Sequence, residues 1–281
     1  MYWQTTRFQI DLRQPQVMGI VNVTPDSFSD GGQHAGTVEA LRHCEQLLRD
    51  GAQILDIGGE STRPGIPPVP LAEELVRVVP LVREAVKLNV PISVDTYKPE
   101  VMQAVLDEGA DIINDIWGLR QGDAAQVVAR HPSCGVCLMH MHGEPVTMQN
   151  APMDGDVVPP VMAFLRDGAD RLRALGVAPE RITLDPGVGF GKTVAQNFSL
   201  LARQREFLSL GYPLLIGWSR KSSLGAVTAV EGQPLPPRER VMASVAAALL
   251  AVERGAAIVR VHDVRETVQA LRVWQAMQAA A

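Results

Sequence analysis

The amino-acid sequence predicts an α/β fold, a (β/α)8 TIM barrel with a short N-terminal strand-like extension. Three observations predict it. Short β-rich apolar runs recur eight times, helical spacing follows them, and no Ser/Gly/Pro-rich linker divides the chain. Continuous apolar strands are typical of parallel sheets that are buried on both faces, and eight βα units favour closure into a barrel. We therefore expect a single barrel domain over residues 1–281.

The predicted elements alternate along the chain. Strands are predicted at residues 17–23, 54–57, 92–94, 112–116, 136–139, 182–184, 214–218 and 258–261. Helical spacing predicts helices that include residues 38–48, 73–88, 99–107, 157–175, 238–252 and 264–277. Glycines follow several helices, namely Gly51, Gly109, Gly176 and Gly255. Because glycine adopts the left-handed cap conformation readily, these positions mark the stability face of the barrel.

Composition limits the possible partners. The formal net charge is −5, which gives no support to nucleic-acid binding. The sequence shows no apolar run of about 18 residues and no apolar segment of the signal-peptide kind, so we expect no membrane span and a cytoplasmic location. Three cysteines do not make a disulfide framework. Cys134 and Cys137 form a C-x-x-C pair, for which a structural role is favoured and a redox or metal role stays open.

Polar side chains stand at the carboxyl end of every predicted strand. They include Asn22, Asp56, Asp95, Asn114, His140, Asp185, Ser219, Lys221, Arg260 and His262. Each group directly follows a buried run, so solvation of a surface explains the pattern poorly. In a (β/α)8 barrel this is the face that carries the chemistry.

Two kinds of chemistry follow from these residues. Asp95, Asn114 and Asp185 can hydrogen-bond the donor-rich edge of a planar heterocycle, although each alone can also serve as a structural hydrogen bond or helix cap. Lys221, Arg260 and His262, with Arg63 on a nearby loop, can bind phosphates; pairing with the acids is the alternative. Residues 28–36 and 61–70 are predicted as long binding loops, with passive loops as the alternative.

Two motifs resemble a phosphate-binding loop and a metal site, but each lacks a feature that such a site requires. Residues 186–193 read PGVGFGKT, which resembles a phosphate-binding loop, but Pro186 stands where the first glycine is required. His140 and His142 are two residues apart on a predicted strand end, so they point to opposite faces and do not easily share a metal.

Longer motifs at these strand ends resemble the dihydropteroate synthase family. They are MGIVNVTPDSFSDGG at residues 18–32, DIGGESTRPG at 56–65, SVDT at 93–96, IND at 113–115, LDPGVGFGKT at 184–193, GWSRKS at 217–222 and RVHD at 260–263. The resemblance implies that a pterin methyl diphosphate condenses with p-aminobenzoate at the open end of the barrel. It also implies Mg2+, a homodimer and sulfonamides as inhibitors.

The resemblance also implies residue roles. A pterin set would comprise Asp95, Asn114, Asp185 and Lys221, with Met139 and Gly217 as walls and Arg260 stacked on the ring. Diphosphate would meet Asn22, Thr62, Arg260 and His262, with Asn22 also touching Mg2+. The p-aminobenzoate end would comprise Thr62, Arg63, Phe190, Ser219 and Lys221. Catalysis would rest on Asp95, Asp185, Lys221 and Arg260.

The sequence departs from the family pattern at His142, where glutamine is usual, and at Ser223–Leu224, where an apolar pair is usual. These departures bear on substrate or inhibitor preference. Two other hypotheses stay open: a methyltetrahydrofolate-binding barrel of corrinoid methyltransferases, which needs no diphosphate site, and a paralogue that keeps the barrel without turnover.

Overall fold

A computed structural model describes residues 1–23, 32–61 and 65–280, with backbone only for 32–35. Within these residues, eight parallel strands close into a barrel in which each strand pairs with the next and the last pairs with the first. The barrel strands are β3 (Gln16–Asn22), β4 (Ile54–Gly58), β5 (Ile92–Asp95), β6 (Ile112–Asp115), β7 (Gly135–Met139), β8 (Ile182–Asp185), β9 (Leu214–Ile216) and β10 (Ala256–Val261). The predicted barrel is thus confirmed.

Helices follow the strands and cover the outside of the barrel. They are α1 (Gly32–Arg49), α2 (Leu71–Ala85), α3 (Pro99–Asp107), α4 (Ala124–Arg130), α5 (Val158–Ala174), α6 (Val194–Ala202), α7 (Ser222–Val227), α8 (Val241–Glu253) and α9 (Val264–Ala279). The main hydrophobic core lies between these helices and the outward faces of the strands.

Some predicted bounds were wrong. Residues 32–36 belong to α1 rather than to a loop, because the helix continues through two glycines whose low helix propensity is only a weak local preference. Residues 24–31 and 62–64 of the predicted loops lie outside the described residues. Strand β9 ends at Ile216, two residues early, and β7 ends at Met139, so His140 and His142 belong to the following loop.

The N-terminal extension is a hairpin beneath the barrel. Strands β1 (Tyr2–Gln4) and β2 (Gln9–Asp11) pair antiparallel. Trp3 is fully buried in a cluster with inward-facing side chains that include Met18, Ile112 and Leu215. Its indole Nε1 donates to the Arg181 carbonyl oxygen at 2.9 Å. The hairpin therefore closes the end of the barrel away from the polar strand ends.

The glycines after helices have the predicted conformation. Gly51, Gly109, Gly176 and Gly255 have φ values of 104°, 94°, 88° and 90°. Residues that carry a side chain rarely adopt such φ values, so glycine at these positions allows a tight return from helix to strand. Among the described helices, none combines the length and apolar character needed to cross a bilayer.

Candidate active site at the carboxyl ends of the barrel strands

The predicted site residues that the structure describes line one cavity. These are Asn22, Asp95, Asn114, Met139, Asp185, Phe190, Gly217, Ser219, Lys221, Arg260 and His262. Thr62 and Arg63 lie outside the described residues. The cavity also contacts residues that the sequence analysis did not select, namely Ile20, Glu60, Ser61, Ile116 and Val188.

Strand register explains how residues distant in sequence meet. Asn22 pairs with Gly58, Gly58 with Asp95, and Asp95 with Asn114 across β3, β4, β5 and β6. Gly58 brings no side chain between its neighbours; its Cβ position lies 4.0 Å from Asn22 Oδ1 and 3.5 Å from the Asp95 Cβ. The barrel thus places an amide, a carboxylate and a second amide along one rim.

Asp56 bonds two residues that line the cavity, Asn114 and Arg260, and the sequence analysis gave it no role in the site. Its carboxylate is fully buried. Oδ1 accepts a 2.6 Å hydrogen bond from the Ser93 hydroxyl, and Oδ2 accepts from Arg260 Nε at 2.6 Å and from Asn114 Nδ2 at 3.3 Å. A charge this deep must be paired. The signal was present, because Asp56 is the charged residue inside the apolar strand 54–58.

Arg260 bridges two carboxylates. Besides Asp56, its Nη2 donates to Asp95 Oδ2 at 2.7 Å, and its side chain stays 22% exposed. Burial opposes the charge, but Asp56 and Asp95 raise the pKa of Arg260 above its usual value. The sequence analysis gave ion pairing with the acids as the alternative to phosphate binding, and in this structure Arg260 does form such ion pairs. The guanidinium has five N–H donors, so donors remain beyond these two bonds.

The acids of the cavity hold their protons more tightly than exposed carboxyls. Burial raises the pKa of Asp95 to about 7, and Arg260 opposes the change. Burial also raises the pKa of Asp185, against the Gly187 amide and Lys221. Gly187 donates its N–H to Asp185 Oδ1 at 2.7 Å. A donor-rich ligand would satisfy these desolvated oxygens.

Lys221 and Phe190 form one wall. Lys221 Nζ lies 4.2 Å from the centroid of the Phe190 ring, a cation–π contact. Burial lowers the pKa of Lys221 to about 8, and Asp185 limits the decrease. This cation therefore faces both an aromatic ring and the acidic part of the cavity.

Ser219 and His262 are joined by two hydrogen bonds. Ser219 Oγ accepts from the His262 backbone N–H at 3.0 Å and lies 2.9 Å from His262 Nδ1. The one hydroxyl thus bonds both the backbone and the ring of His262 and holds the imidazole in place at the cavity. Arg220 has φ 58°, and its side chain pairs with Asp263 and so ties the loop after β9 to the one after β10.

Lys192 is buried behind this wall. It is 2% exposed, and its Nζ lies 3.0 Å from His140 Nδ1, 2.9 Å from the Gly187 carbonyl oxygen and 3.0 Å from that of Phe190. Burial lowers the pKa of Lys192 to about 7, against Asp185. Burial, then Lys192, lowers the pKa of His140 to about 2. The lysine of the near-miss PGVGFGKT motif thus binds carbonyls of its own loop.

Glu60 borders the cavity from the β4 side. Its Oε2 accepts from Lys98 Nζ at 2.6 Å and from the Val69 backbone N–H at 3.1 Å, and Oε1 accepts from the Tyr97 hydroxyl at 3.1 Å. Lys98 also pairs with the buried Glu74. These bonds hold the Glu60 carboxylate against residues 69, 97 and 98.

The family departures have distinct surroundings. Ser223 is buried, and its hydroxyl accepts from Asn197 Nδ2 at 2.9 Å, so the polar group is satisfied. Asn197 Oδ1 in turn accepts from the Gly189 N–H at 2.8 Å. Leu224 lies in the main core, and His142 is exposed.

The cysteine pair lies away from the cavity surface. Cys134 and Cys137 are both buried and free, and Cys44 is too. Arg181 Nη2 contacts Cys134 Sγ at 3.2 Å, and burial raises the thiol pKa of both residues of the pair. These surroundings suit the structural role.

Comparisons with known proteins define first a class and then a family. The profile described as "Pterin binding enzyme" matches residues 18–262. A dihydropteroate synthase of Neisseria meningitidis serogroup C is 50% identical over 278 residues, covering 98% of this chain and 97% of that protein.

Solved structures agree. A Burkholderia cenocepacia dihydropteroate synthase complexed with 7,8-dihydropteroate has 54% identity and a TM-score of 0.88, covering 99% of this chain and 97% of that one. A Xanthomonas albilineans dihydropteroate synthase with 4-aminobenzoic acid has 48% identity and a TM-score of 0.91, covering 99% of each chain. The chain belongs to the dihydropteroate synthase family of pterin-binding enzymes.

Proposed function

We propose that the cavity at the carboxyl ends of β3–β10 carries out the family reaction. The chain is a transferase that condenses 6-hydroxymethyl-7,8-dihydropterin diphosphate with p-aminobenzoate and releases 7,8-dihydropteroate and diphosphate. One observation carries the assignment of this site. Hydrogen-bond acceptors that suit the N–H donors of a pterin and cations that suit a phosphate line the same cavity. The resemblance of the chain to synthases favours this reaction over that of corrinoid methyltransferases.

The acidic part of the cavity suits the pterin ring. Asp95, Asn114 and Asp185 present carboxylate and amide oxygens to the N–H edge of the heterocycle, and Met139 and Gly217 supply apolar walls. Since Asp95 and Asp185 are desolvated, bonds to N–H donors there are stronger than in water. The same carboxylates favour positive charge on the bound ring.

The cationic part suits the leaving diphosphate. Arg260 lies near the end of β10, His262 directly follows that strand, and Lys221 lies in the loop after β9, so all three come from adjacent strands. The C–O bond to the diphosphate breaks first, and its electron pair leaves with the diphosphate oxygen. These donors stabilise that developing charge, while resonance into the pterin stabilises the methylene cation.

The Lys221–Phe190 wall, with Ser219, suits p-aminobenzoate. The neutral aniline nitrogen attacks the methylene cation and forms the new C–N bond, and the nitrogen then loses its proton. A strong general base is unnecessary because the cation is a powerful electrophile and the proton is acidic after attack. Water must be excluded from the cation for the product to form.

The described residues of the cavity fit a magnesium site in which the protein supplies few ligands. Asn22 offers a hard amide oxygen at the cavity edge, and the described residues hold no group of three His, Cys, Asp or Glu side chains arranged for a metal. Mg2+ commonly takes few protein ligands and completes its shell with phosphate oxygens and waters. We therefore propose that Asn22 contacts Mg2+ together with the diphosphate; the ion would neutralise phosphate charge.

The reaction is tested by incorporation of radiolabelled p-aminobenzoate, with and without Mg2+. We expect dihydropteroate from the wild-type chain, with loss of turnover in EDTA that added Mg2+ restores. Arg260→Ala removes the cation that joins Asp56, Asp95 and the proposed diphosphate site. We expect its kcat/KM to fall at least about 100-fold.

Arg265→Ala is the matched control, because Arg265 is exposed on α9. Thermal unfolding of both variants separates loss of function from loss of fold. Absence of product from the wild-type chain would refute the reaction and favour a paralogue without turnover. Near-normal turnover of Arg260→Ala would refute the diphosphate assignment.

Two further properties are proposals. Exposed apolar side chains on α8 and α9 support a homodimer through this face, namely Met242, Leu250, Val273 and Met277. Three free, buried cysteines suit a reducing compartment and support a cytoplasmic location, which cell fractionation would test.

A further inference from the structure

Lys192 is a buried cation that the reaction described above does not use. An ammonium group has three N–H donors, and three acceptors surround this one within 3.0 Å: His140 Nδ1 and the carbonyls of Gly187 and Phe190. His140 is able to accept because its ring stays neutral in these buried surroundings. An ammonium group at this position therefore has one acceptor for each of its three N–H donors.

The two carbonyls belong to residues that contact the substrate-binding side chains. Gly187 donates its N–H to Asp185 Oδ1 while its carbonyl accepts from Lys192. Phe190 places its ring against Lys221 Nζ while its carbonyl accepts from Lys192. One buried ammonium thus fixes the peptide that supports the pterin acid and the residue that forms the aromatic wall.

Besides the bonds to Lys192, the Phe190 N–H donates to the Gly187 carbonyl oxygen at 3.2 Å, and the Met153 N–H donates to that of Gly191 at 2.9 Å. Three glycines at positive φ, Gly187, Gly189 and Gly191, lie within five residues, and such residues allow many backbone conformations. Gln149 and Asn197 each bond to Gly189. By contrast, Asp185 ends strand β8 and is also held by the barrel. Loss of Lys192 should therefore displace Phe190 more than Asp185.

We propose that Lys192 is a positioning residue that sets the p-aminobenzoate wall through the backbone of residues 187–190. This inference rests on the proposed function, in which Phe190 and Lys221 receive p-aminobenzoate. Lys192 itself does not line the cavity. Its removal should raise the KM for p-aminobenzoate more than it weakens pterin binding.

The test is Lys192→Met, which keeps the aliphatic stem and removes the three donors. We expect the KM for p-aminobenzoate to rise about tenfold or more, because a displacement of about 1 Å at a reacting centre is costly. The dissociation constant of 6-hydroxymethylpterin, measured by calorimetry, should change less than about threefold. A purely structural lysine would lower the melting temperature without this split.

Lys87→Met is the control, because Lys87 is 63% exposed and its ammonium pairs with Glu84; both constants should stay at wild-type values. His140→Leu removes one of the three acceptors and should give the same split with a smaller rise. If circular dichroism shows that Lys192→Met does not fold, the His140→Leu variant tests the proposal instead. Unchanged p-aminobenzoate KM in a folded variant, or equal weakening of both ligands, would overturn the proposal. Failure of the proposed function is distinct, since the wild-type chain would then form no product.

Discussion

At the scale of single residues, the cavity is defined by charges whose protonation depends on burial. Lys221 loses solvation and has a pKa near 8, while burial raises the pKa of Asp95 to about 7. Cation and acid therefore both titrate close to neutral pH. Strongly shifted groups that converge in a cleft are typical of active sites.

Lys221 gives a prediction for the alkaline side of the pH profile. Because burial lowers its pKa, Lys221 is charged below pH 8 and becomes neutral as pH rises through about 8. We expect kcat/KM to fall above that pH, approaching about tenfold per pH unit. In Lys221→Arg the cation stays charged, so a slower enzyme should lose the decline centred near pH 8.

The measurement is kcat/KM from pH 6 to 9.5 for both proteins. Lys192, with a pKa near 7, also titrates in this window, and the Arg variant separates the two lysines. A decline that keeps the same midpoint in Lys221→Arg would assign it to another group.

At the scale of elements, the loop between β8 and α6 depends on close contact with the loop after β7. Gly187 has φ 70°, and a Cβ there would lie 1.8 Å from the His140 carbonyl oxygen. His140 in turn accepts from Lys192, so backbone contact and buried cation fasten the same two loops. Thr193 is the N-cap residue before α6 and forms a capping box, in which the side chains of Thr193 and Gln196 accept from each other's backbone N–H groups.

Gly187→Ala tests this contact. The left-handed conformation alone costs an alanine about 1–2 kcal/mol, and the overlap with a backbone atom must in addition move the loop. We expect lower stability and a loss of turnover of at least about 100-fold.

Gly211→Ala provides the matched comparison, because Gly211 has φ 80° and open space around its Cβ position. It should lose similar conformational energy yet keep full turnover. Urea unfolding and the incorporation assay on both variants give the result. Equal turnover of the two alanine variants would show that the contact with His140 is unimportant.

At the scale of the whole molecule, the two ends of the barrel have different roles, stability at one end and chemistry at the other. One end is closed by the hairpin and the buried Trp3, and the other end carries the cavity. The α8–α9 face carries exposed apolar side chains, of which Met242 is 81% exposed. The single-domain organisation over residues 1–281 stays a prediction.

Met242→Glu tests the proposed homodimer. We expect the wild-type chain to sediment at twice the mass of one chain, and the variant to shift toward the monomer because a charge is buried without a partner. Val76→Glu is the control, because Val76 is 49% exposed on α2, outside the α8–α9 face. A monomeric wild-type chain at micromolar concentration would contradict the dimer.

The sequence alone determined the barrel and the rim of the site. Apolar strands and helical spacing are local patterns, and polar residues at strand ends must converge once eight parallel strands close. The eleven described members of the predicted set accordingly line one cavity, although their roles are still predictions.

Only the tertiary structure decided the partners of the buried charges. The pairing of Arg260 with Asp56 spans 204 positions, and that of Lys192 with His140 spans 52. No local pattern specifies such pairs, because they depend on register and on which side chains share a desolvated interior. The helical start of α1 was likewise decided by the fold, against the weak local preference of its glycines.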